Sequence, residues 1–486
     1  MVVSVVLAVL LAQQIHGESP WVNDQNLGDP LRSAEAAQLP PELLDAASRL
    51  ASRALLSNRA METLEELCDD VGARLSGSAE ANHAVDWCIA RMKRDGFENV
   101  HAEKALVPHW VRGRCDAAMT SPRPQPMHAC ALGGSVGTGG KPLVASVVMT
   151  ESLDSLAKLT REQVAGKIVL LTRRMTRDGG EASGYGPTVT IRGRGASAAA
   201  KLGAVGVMIR SVGTANARLP HTGNMNYEEG VPKIPAIALA AEDAEMVERL
   251  LARGTDVKVS MESTCEMEGD VESANVVADL IGREKPDEIV LLSGHLDSWD
   301  LASGAIDDGA GCVISWEAAR LMHELKLRPR RTIRVVLWMS EENGSAGAKA
   351  YAVQHEAEAG KHVVAFEADS GAGRPQGFGL TCADQDLPRV QALAPLLRGL
   401  GCGAVTKGGG GADVGQLRRL AIPTMGLSQD DHWYFDYHHT TADTPDKVDP
   451  HEMSLNVAAM AVMAYAVADL EPRLAVALLV ANDRTR

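Results

Sequence analysis

The sequence predicts an α/β protein: a mostly parallel mixed sheet with helices on both faces, interrupted by a smaller inserted domain. Three observations carry that prediction. Apolar runs of strand length are near-continuous, segments with helical periodicity lie between them, and a Pro- and Gly-rich middle section differs in character from its flanks. At 486 residues the chain also exceeds what one core usually supports, so a second domain or a large insertion is expected.

Taken in order, Met1 to Ala12 form a short apolar run followed by the polar Gln13–Gly17. That length fits a secretory apolar region and is too short for a bilayer span, so residues 1–17 read as a signal peptide, although the run lacks the usual leading Lys or Arg. The expected location is therefore secreted or periplasmic, and no later stretch reaches membrane-span length. Residues 18–40, rich in Pro and Asp, read as an extended N-terminal arm. Apolar residues at three and four spacing then predict helices over Pro41–Leu50, Ala60–Val71 and Ala79–Asp95, with a small-residue loop at Gly72–Ser78 and a strand at Val100–Leu106. These make up 41–115, the first part of the main domain.

From about Gly113 the chain turns Pro- and Gly-rich, as in Ser121–Pro126 and Gly133–Gly140, and a new unit is expected over 116–270. Within it Lys167–Thr172, Ala204–Ile209 and Ile234–Leu239 read as buried strands and Gly195–Leu202 as a helix. The order of Gly166-Lys-Ile-Val, the Ala-Lys-Leu-Gly-Ala-Val-Gly-Val run and Val231-Pro-Lys-Ile-Pro-Ala resembles a protease-associated domain. The main domain resumes over 271–472 with strands at Asn275–Ile281, Glu288–Ser293 and Thr332–Trp338 and a helix at Gly309–Leu325, leaving 473–486 as a tail.

Ligands of parallel sheets gather outside the carboxyl ends of the strands, and chemistry-bearing residues fall there. His295 and Asp297 follow one apolar run, Asp307 precedes a helix, Glu341 and Glu342 follow a second run, and Asp369 follows Val363–Phe366. Imidazole nitrogen with several carboxylate oxygens suits a divalent cation. A Glu-Glu pair alone would read as a solvated surface pair; the company of the other stations reverses that weighting.

Ser293-Gly-His-Leu-Asp-Ser-Trp-Asp, Gly304-Ala-Ile-Asp-Asp-Gly, Trp338-Met-Ser-Glu-Glu-Asn-Gly, Glu367-Ala-Asp-Ser-Gly and Tyr437-His-His-Thr-Thr-Ala-Asp-Thr resemble the M28 family of di-zinc exopeptidases. Arg74-Leu-Ser-Gly-Ser, Val107-Pro-His-Trp-Val-Arg-Gly, Pro220-His-Thr-Gly and Ser315-Trp-Glu-Ala narrow the resemblance to one branch of it, active on short peptides or dipeptides as a carboxypeptidase or dipeptidase. The resemblance implies the zinc exopeptidase fold and two zinc ions per chain. His295 and Asp369 would bind one ion, Glu342 and His439 the other, and Asp307 would bridge them. Glu341 would be the general base, and Asp297 would hold the His295 tautomer from behind. His438 competes with His439 for one role, and the spacing to Thr440 and Asp443 favours His439. In the family the bond after the bridging Asp is often cis, while Asp308 reads most simply as a helix cap.

An aminopeptidase on the same scaffold is the alternative, since the metal stations are common to both, and an inactive receptor-like homologue is a remote one. The resemblance further implies a homodimer, with Trp433–Tyr437 as a contact surface. Net charge is −15 without a basic block of the kind that tracks phosphates, so nucleic acid is not expected as a partner. Lys407–Gly415 lacks the Gly-Lys-Ser/Thr ending of a phosphate loop, and the resemblance puts it near the substrate pocket instead. The eight cysteines include no Cys-x-x-Cys, and Cys115 with Cys130 is the one pair suggested.

Overall fold

A computed structural model describes residues 39–177, 184–215 and 217–475. The expected signal peptide, nearly all of the N-terminal arm and most of the tail lie outside the described residues. From Pro40 onward the chain is one unit built on two eight-stranded sheets.

The strands of the first sheet are β1 (Glu98–Val111), β2 (Glu266–Leu280), β3 (Lys285–His295), β4 (Arg331–Trp338), β5 (His362–Glu367), β6 (Pro375–Thr381), β7 (Ala404–Lys407) and β8 (Thr424–Gln429). Their order is β1-β2-β4-β3-β5-β8-β6-β7. The centre, β4-β3-β5-β8, is parallel, and antiparallel pairings flank it at β1/β2, β2/β4 and β8/β6. β3 to β5 are apolar on both faces because both faces are covered. Ile289, Leu291, Val336, Trp338 and Ala365 pack with Ala348, Tyr351 and Ala352 of the helix Ala346–Gln354. The helices Ala310–Glu324 and Pro450–Asp469 also pack on the sheet. The second of these is buried from Leu455 to Ala468, so its apolar residues run round the whole helix and show no amphipathic stripe.

The outer strands β1 and β2 run several residues further than their sequence pattern predicts. They pair antiparallel from Glu98↔Asp279 to Val111↔Glu266, and much of that ribbon is half-exposed, which hides the alternation. Between their far ends the chain builds the second sheet, whose centre is the parallel set Leu143–Thr150, Ile168–Leu171, Gly206–Arg210 and Ala236–Leu239. The helix expected at Gly195–Leu202 begins at Tyr185. Its glycines disguise it: a Cβ on Gly195 would lie 2.6 Å from Leu171 Cδ1, so that residue serves close packing of helix on strand.

All eight cysteines are free thiols, so the suggested Cys115–Cys130 pair is not formed. Burial pushes the Cys115 thiol up to about 12 and the Cys130 thiol up to about 11, as unreactive structural cysteines show. Among the described residues no helix is long and apolar enough to cross a membrane.

Candidate metal centre

β3 ends on His295, so the pleat that buries Leu291 and Leu292 also delivers the imidazole to the carboxyl edge of the sheet. Its backbone N–H donates to Asp308 Oδ2 (3.0 Å), and its Nδ1–H donates to the carbonyl of Asp297 (2.9 Å). The contact to the ring runs through the main chain of Asp297. The Asp297 carboxylate lies 3.8 Å from the ring; it accepts instead from the backbone N–H of Glu341 (3.0 Å) and of Glu342 (3.3 Å). Asp297 therefore ties the end of β3 to the end of β4, setting the tautomer with its main chain and the Glu-Glu turn with its side chain.

With Nδ1 committed, His295 Nε2 faces Asp307 Oδ1 at 3.3 Å and Asp369 Oδ1 at 3.6 Å. On the other side of Asp307, Oδ2 lies 3.1 Å from His439 Nε2, which is itself 3.0 Å from Glu342 Oε2. The carboxylate of Asp307 thus stands between the two imidazoles. Its peptide bond to Asp308 is cis. Asp308 accepts from Gly311 N–H (3.1 Å) as well as from His295 N–H, so it caps the following helix and ties that helix to β3.

Ligand-type atoms within 4.8 Å of one another form two sets, Asp307 with His438 and His439, and His295 with Asp308 and Asp369. Asp308 is occupied by two backbone N–H groups, which leaves Asp307 the freer carboxylate for the second set. His438 and His439 stack with ring centroids 3.5 Å apart; Nδ1–H of His439 donates to Thr222 O (3.2 Å), whereas Nδ1 of His438 is buried without a partner among the described residues.

Arg74, from the small-residue loop, is fully buried and donates to the carbonyls of Leu296 (2.7 Å), Gly304 (3.0 Å), Gly72 and Ser303. It fastens the loop that runs from His295 to Asp307. Asp443 accepts from Ile306 N–H (2.7 Å) at the same loop, and burial pushes its carboxyl up to about 7.

Glu342 Oε1 is buried without a hydrogen-bond partner among the described residues, and Asp307 Oδ2, though close to the His439 ring, makes no well-aligned hydrogen bond. Acceptor-only oxygens crowded this way are costly without a cation, so the donor set fits a divalent ion. Burial, reinforced by Asp369 and Glu342 against the pull of His295, pushes the Glu341 carboxyl well above the usual carboxylate range.

Glu341, Glu342, Asp307, Asp369, His438 and His439 open together onto a cavity of about 420 Å³. Part of its lining escaped sequence reasoning: Tyr185, Arg192, Asn224 and Asp431 carry no spacing signature, whereas Tyr434 and Phe435 fall in the Trp433–Tyr437 stretch expected as a contact surface. Pro220-His-Thr-Gly entered the sequence reading only through the family resemblance, with no expectation that the middle section touches the site. Ala412 also lines the cavity, but the glycines beside it serve a neighbour: a Cβ on Gly411 would fall 1.9 Å from Glu367 Oε1, a carboxylate that accepts from Asp413 and Val414 N–H.

The sequence profile of Peptidase family M28 matches residues 275–464. Carboxypeptidase Q of Mus musculus is 40% identical over 417 residues, covering 86% of this chain and 87% of the relative. A crystal structure of a Peptidase M28 precursor from Shewanella amazonensis SB2B is 42% identical, covers 90% of this chain and 99% of that one, and superposes with a TM-score of 0.87. A zinc aminopeptidase from Bacillus subtilis shares the fold at 19% identity, with a TM-score of 0.60 over 84% of this chain and 94% of its own.

Proposed function

Because the chain belongs to peptidase family M28, with carboxypeptidase Q among its relatives, we propose that it is a di-zinc exopeptidase that releases residues from the free carboxyl end of short peptides or dipeptides. The observation that carries the choice of end is Arg192, the one Lys or Arg among the residues lining the cavity. Its guanidinium is fixed on every nitrogen, Nη2 donating to Tyr185 Oη (2.8 Å), Nε to Asn224 O (3.2 Å) and Nη1 lying 3.4 Å from both Thr222 O and His439 Nδ1, so a fixed positive charge with its remaining N–H groups faces the cavity.

In this reading His295 and Asp369 would hold one zinc, Glu342 and His439 the other, and Asp307 would serve both. Bound zinc would polarise the scissile carbonyl and lower the pKa of the attacking water. Glu341 takes a proton from that water as its oxygen bonds to the carbonyl carbon, then gives it to the amine nitrogen as the C–N bond breaks. Tyr185, Phe435 and the rest of the wall exclude water around the peptide. Export through Met1–Ala12, the inserted protease-associated-like domain at 116–270 and a homodimer are parts of the same proposal.

The alternative, an aminopeptidase, has Asp431 in its favour, a carboxylate in the same cavity able to meet an α-ammonium group. Mass spectrometry of products from dipeptides and tripeptides, free or blocked at either end and with or without chelator, tests both. Cleavage that is lost on C-terminal amidation, and an Arg192→Gln variant whose KM rises about tenfold or more for free-acid peptides, are the expected results. Cleavage of C-amidated but not N-blocked peptides would establish the alternative.

A further inference from the structure

We propose that the loop Pro220–Gly223, carried by the second sheet, is the positioning element of His439, with Thr222 as its central residue. The inference rests on the reading of His439 as a zinc ligand. His439 has a left-handed backbone, with φ of 63°, a conformation that non-glycine residues hold only when their surroundings enforce it. Thr222 supplies that enforcement twice over. Its N–H donates to the carbonyl of His439 (2.9 Å), and its own carbonyl accepts the ring Nδ1–H (3.2 Å). The first bond fixes the backbone; the second fixes the tautomer and aims Nε2 at Asp307 and Glu342.

Thr222 is fully buried and is itself anchored. Its hydroxyl donates to Ala131 O (2.9 Å) and accepts from Arg112 Nη1 (3.1 Å). Arg112 forks onto Asp300 (2.7 and 2.9 Å), which lies in the loop joining His295 to Asp307. A continuous chain of hydrogen bonds thus runs from the loop between two ligand stations, through the root of the second sheet, to the third. The neighbouring His221 repeats the device: its Nδ1–H donates to His438 O (2.8 Å) and its backbone N–H to Ser211 Oγ (2.8 Å). Gly223 lets the loop approach, since a Cβ there would lie 2.7 Å from His439 Nδ1 and 2.4 Å from the Arg192 guanidinium. The second sheet therefore sets the geometry of one metal position as well as walling the cavity.

The test is stepwise chelator competition for zinc on the apo forms of the wild type, Thr222→Val, Thr222→Ser and Asp300→Asn. Loss of partners behind a metal ligand costs roughly tenfold to a hundredfold in affinity. Thr222→Val leaves both main-chain bonds to His439 in place and removes the hydroxyl that anchors them, so it is expected to weaken one of two zinc-binding steps by up to about tenfold, the low end of that range, and leave the other unchanged, with Thr222→Ser close to the wild type because it keeps the hydroxyl. Equal affinities in wild type and Thr222→Val, or an equal loss in both steps, would overturn the inference. Uptake of fewer than two zinc ions by the wild type would instead overturn the reading beneath it. If Thr222→Val yields no folded protein by circular dichroism, Asp300→Asn decides by the same criteria, since it removes the charge and one of the two acceptor oxygens that hold Arg112 and leaves Thr222 intact.

Discussion

At the scale of single residues, Glu341 and Asp297 show how one site divides its labour. The Asp297 carboxylate holds two consecutive N–H groups of the Glu341–Glu342 turn, so the proposed base and its neighbour inherit their direction from the strand that carries His295. Replacing Glu341 by Gln keeps shape and removes the proton acceptor. Turnover should fall by at least about a hundredfold to ten-thousandfold while zinc content stays at the wild-type level, as read by metal analysis beside kinetics. Substantial residual turnover would move the base elsewhere. These residues could be singled out in the sequence because they lie just beyond apolar runs expected as strands, whereas their roles came only from the family resemblance. Asp297's division between carbonyl and carboxylate was not legible, since residue type and spacing do not say which atom of a residue is used. Arg192 and Thr222 were hidden for a different reason: they reach the site from another sheet, more than 60 positions before His295 in the chain.

At the scale of elements, the helix Ala346–Gln354 is fastened to β5 through a buried polar pair, Tyr351 Oη and His362 Nε2 at 2.9 Å. Burial, with Arg334 and His355 near it, lowers the His362 pKa to about 4, so the ring is neutral in the folded protein at neutral pH. Unfolded histidine titrates near 6.5, so between these values the unfolded chain binds more protons and folding stability rises with pH. The contribution is fully present above about 6.5 and is lost as pH falls towards 4; the shift corresponds to about 3 kcal/mol. Melting temperatures from pH 7.5 to 4.5 should decline less steeply for His362→Gln than for the wild type, and identical slopes would remove His362 as a cause. The elements themselves were read well where both faces are buried, as in β3 to β5. They were read short where exposure alternates weakly, as in β1 and β2, and late where glycines serve packing, as in the helix from Tyr185.

At the scale of the whole molecule, carboxylates and imidazoles converge from the ends of β3, β4 and β5 and from the 437–444 segment on a point where Glu342 Oε1 is buried without a partner among the described residues. A ligand that binds the folded chain and not the unfolded one stabilises it by about 2.7 kcal/mol at a hundred times its dissociation constant. Stripping zinc should therefore lower the melting temperature by several degrees, and adding zinc back should restore it; calorimetry of the apo and reloaded protein is the check. A melting temperature indifferent to zinc would argue against a metal held by these residues. The two-sheet architecture makes this coupling broad, because the network through Arg112 and Thr222 links the metal positions to the root of the second sheet.

One side chain makes that state visible from outside. The Trp299 indole donates to Glu342 Oε2 at 2.6 Å, stands edge-on to the His439 ring at 5.8 Å, and occupies the space a side chain on Gly133 would need. Any change in charge on Glu342 alters the electric field across that ring, and with it the colour and intensity of the light the ring emits. Subtracting the emission of a Trp299→Phe protein isolates this signal from the other tryptophans, and, with Glu342 as the zinc ligand proposed above, that difference should change on adding zinc to the apo protein.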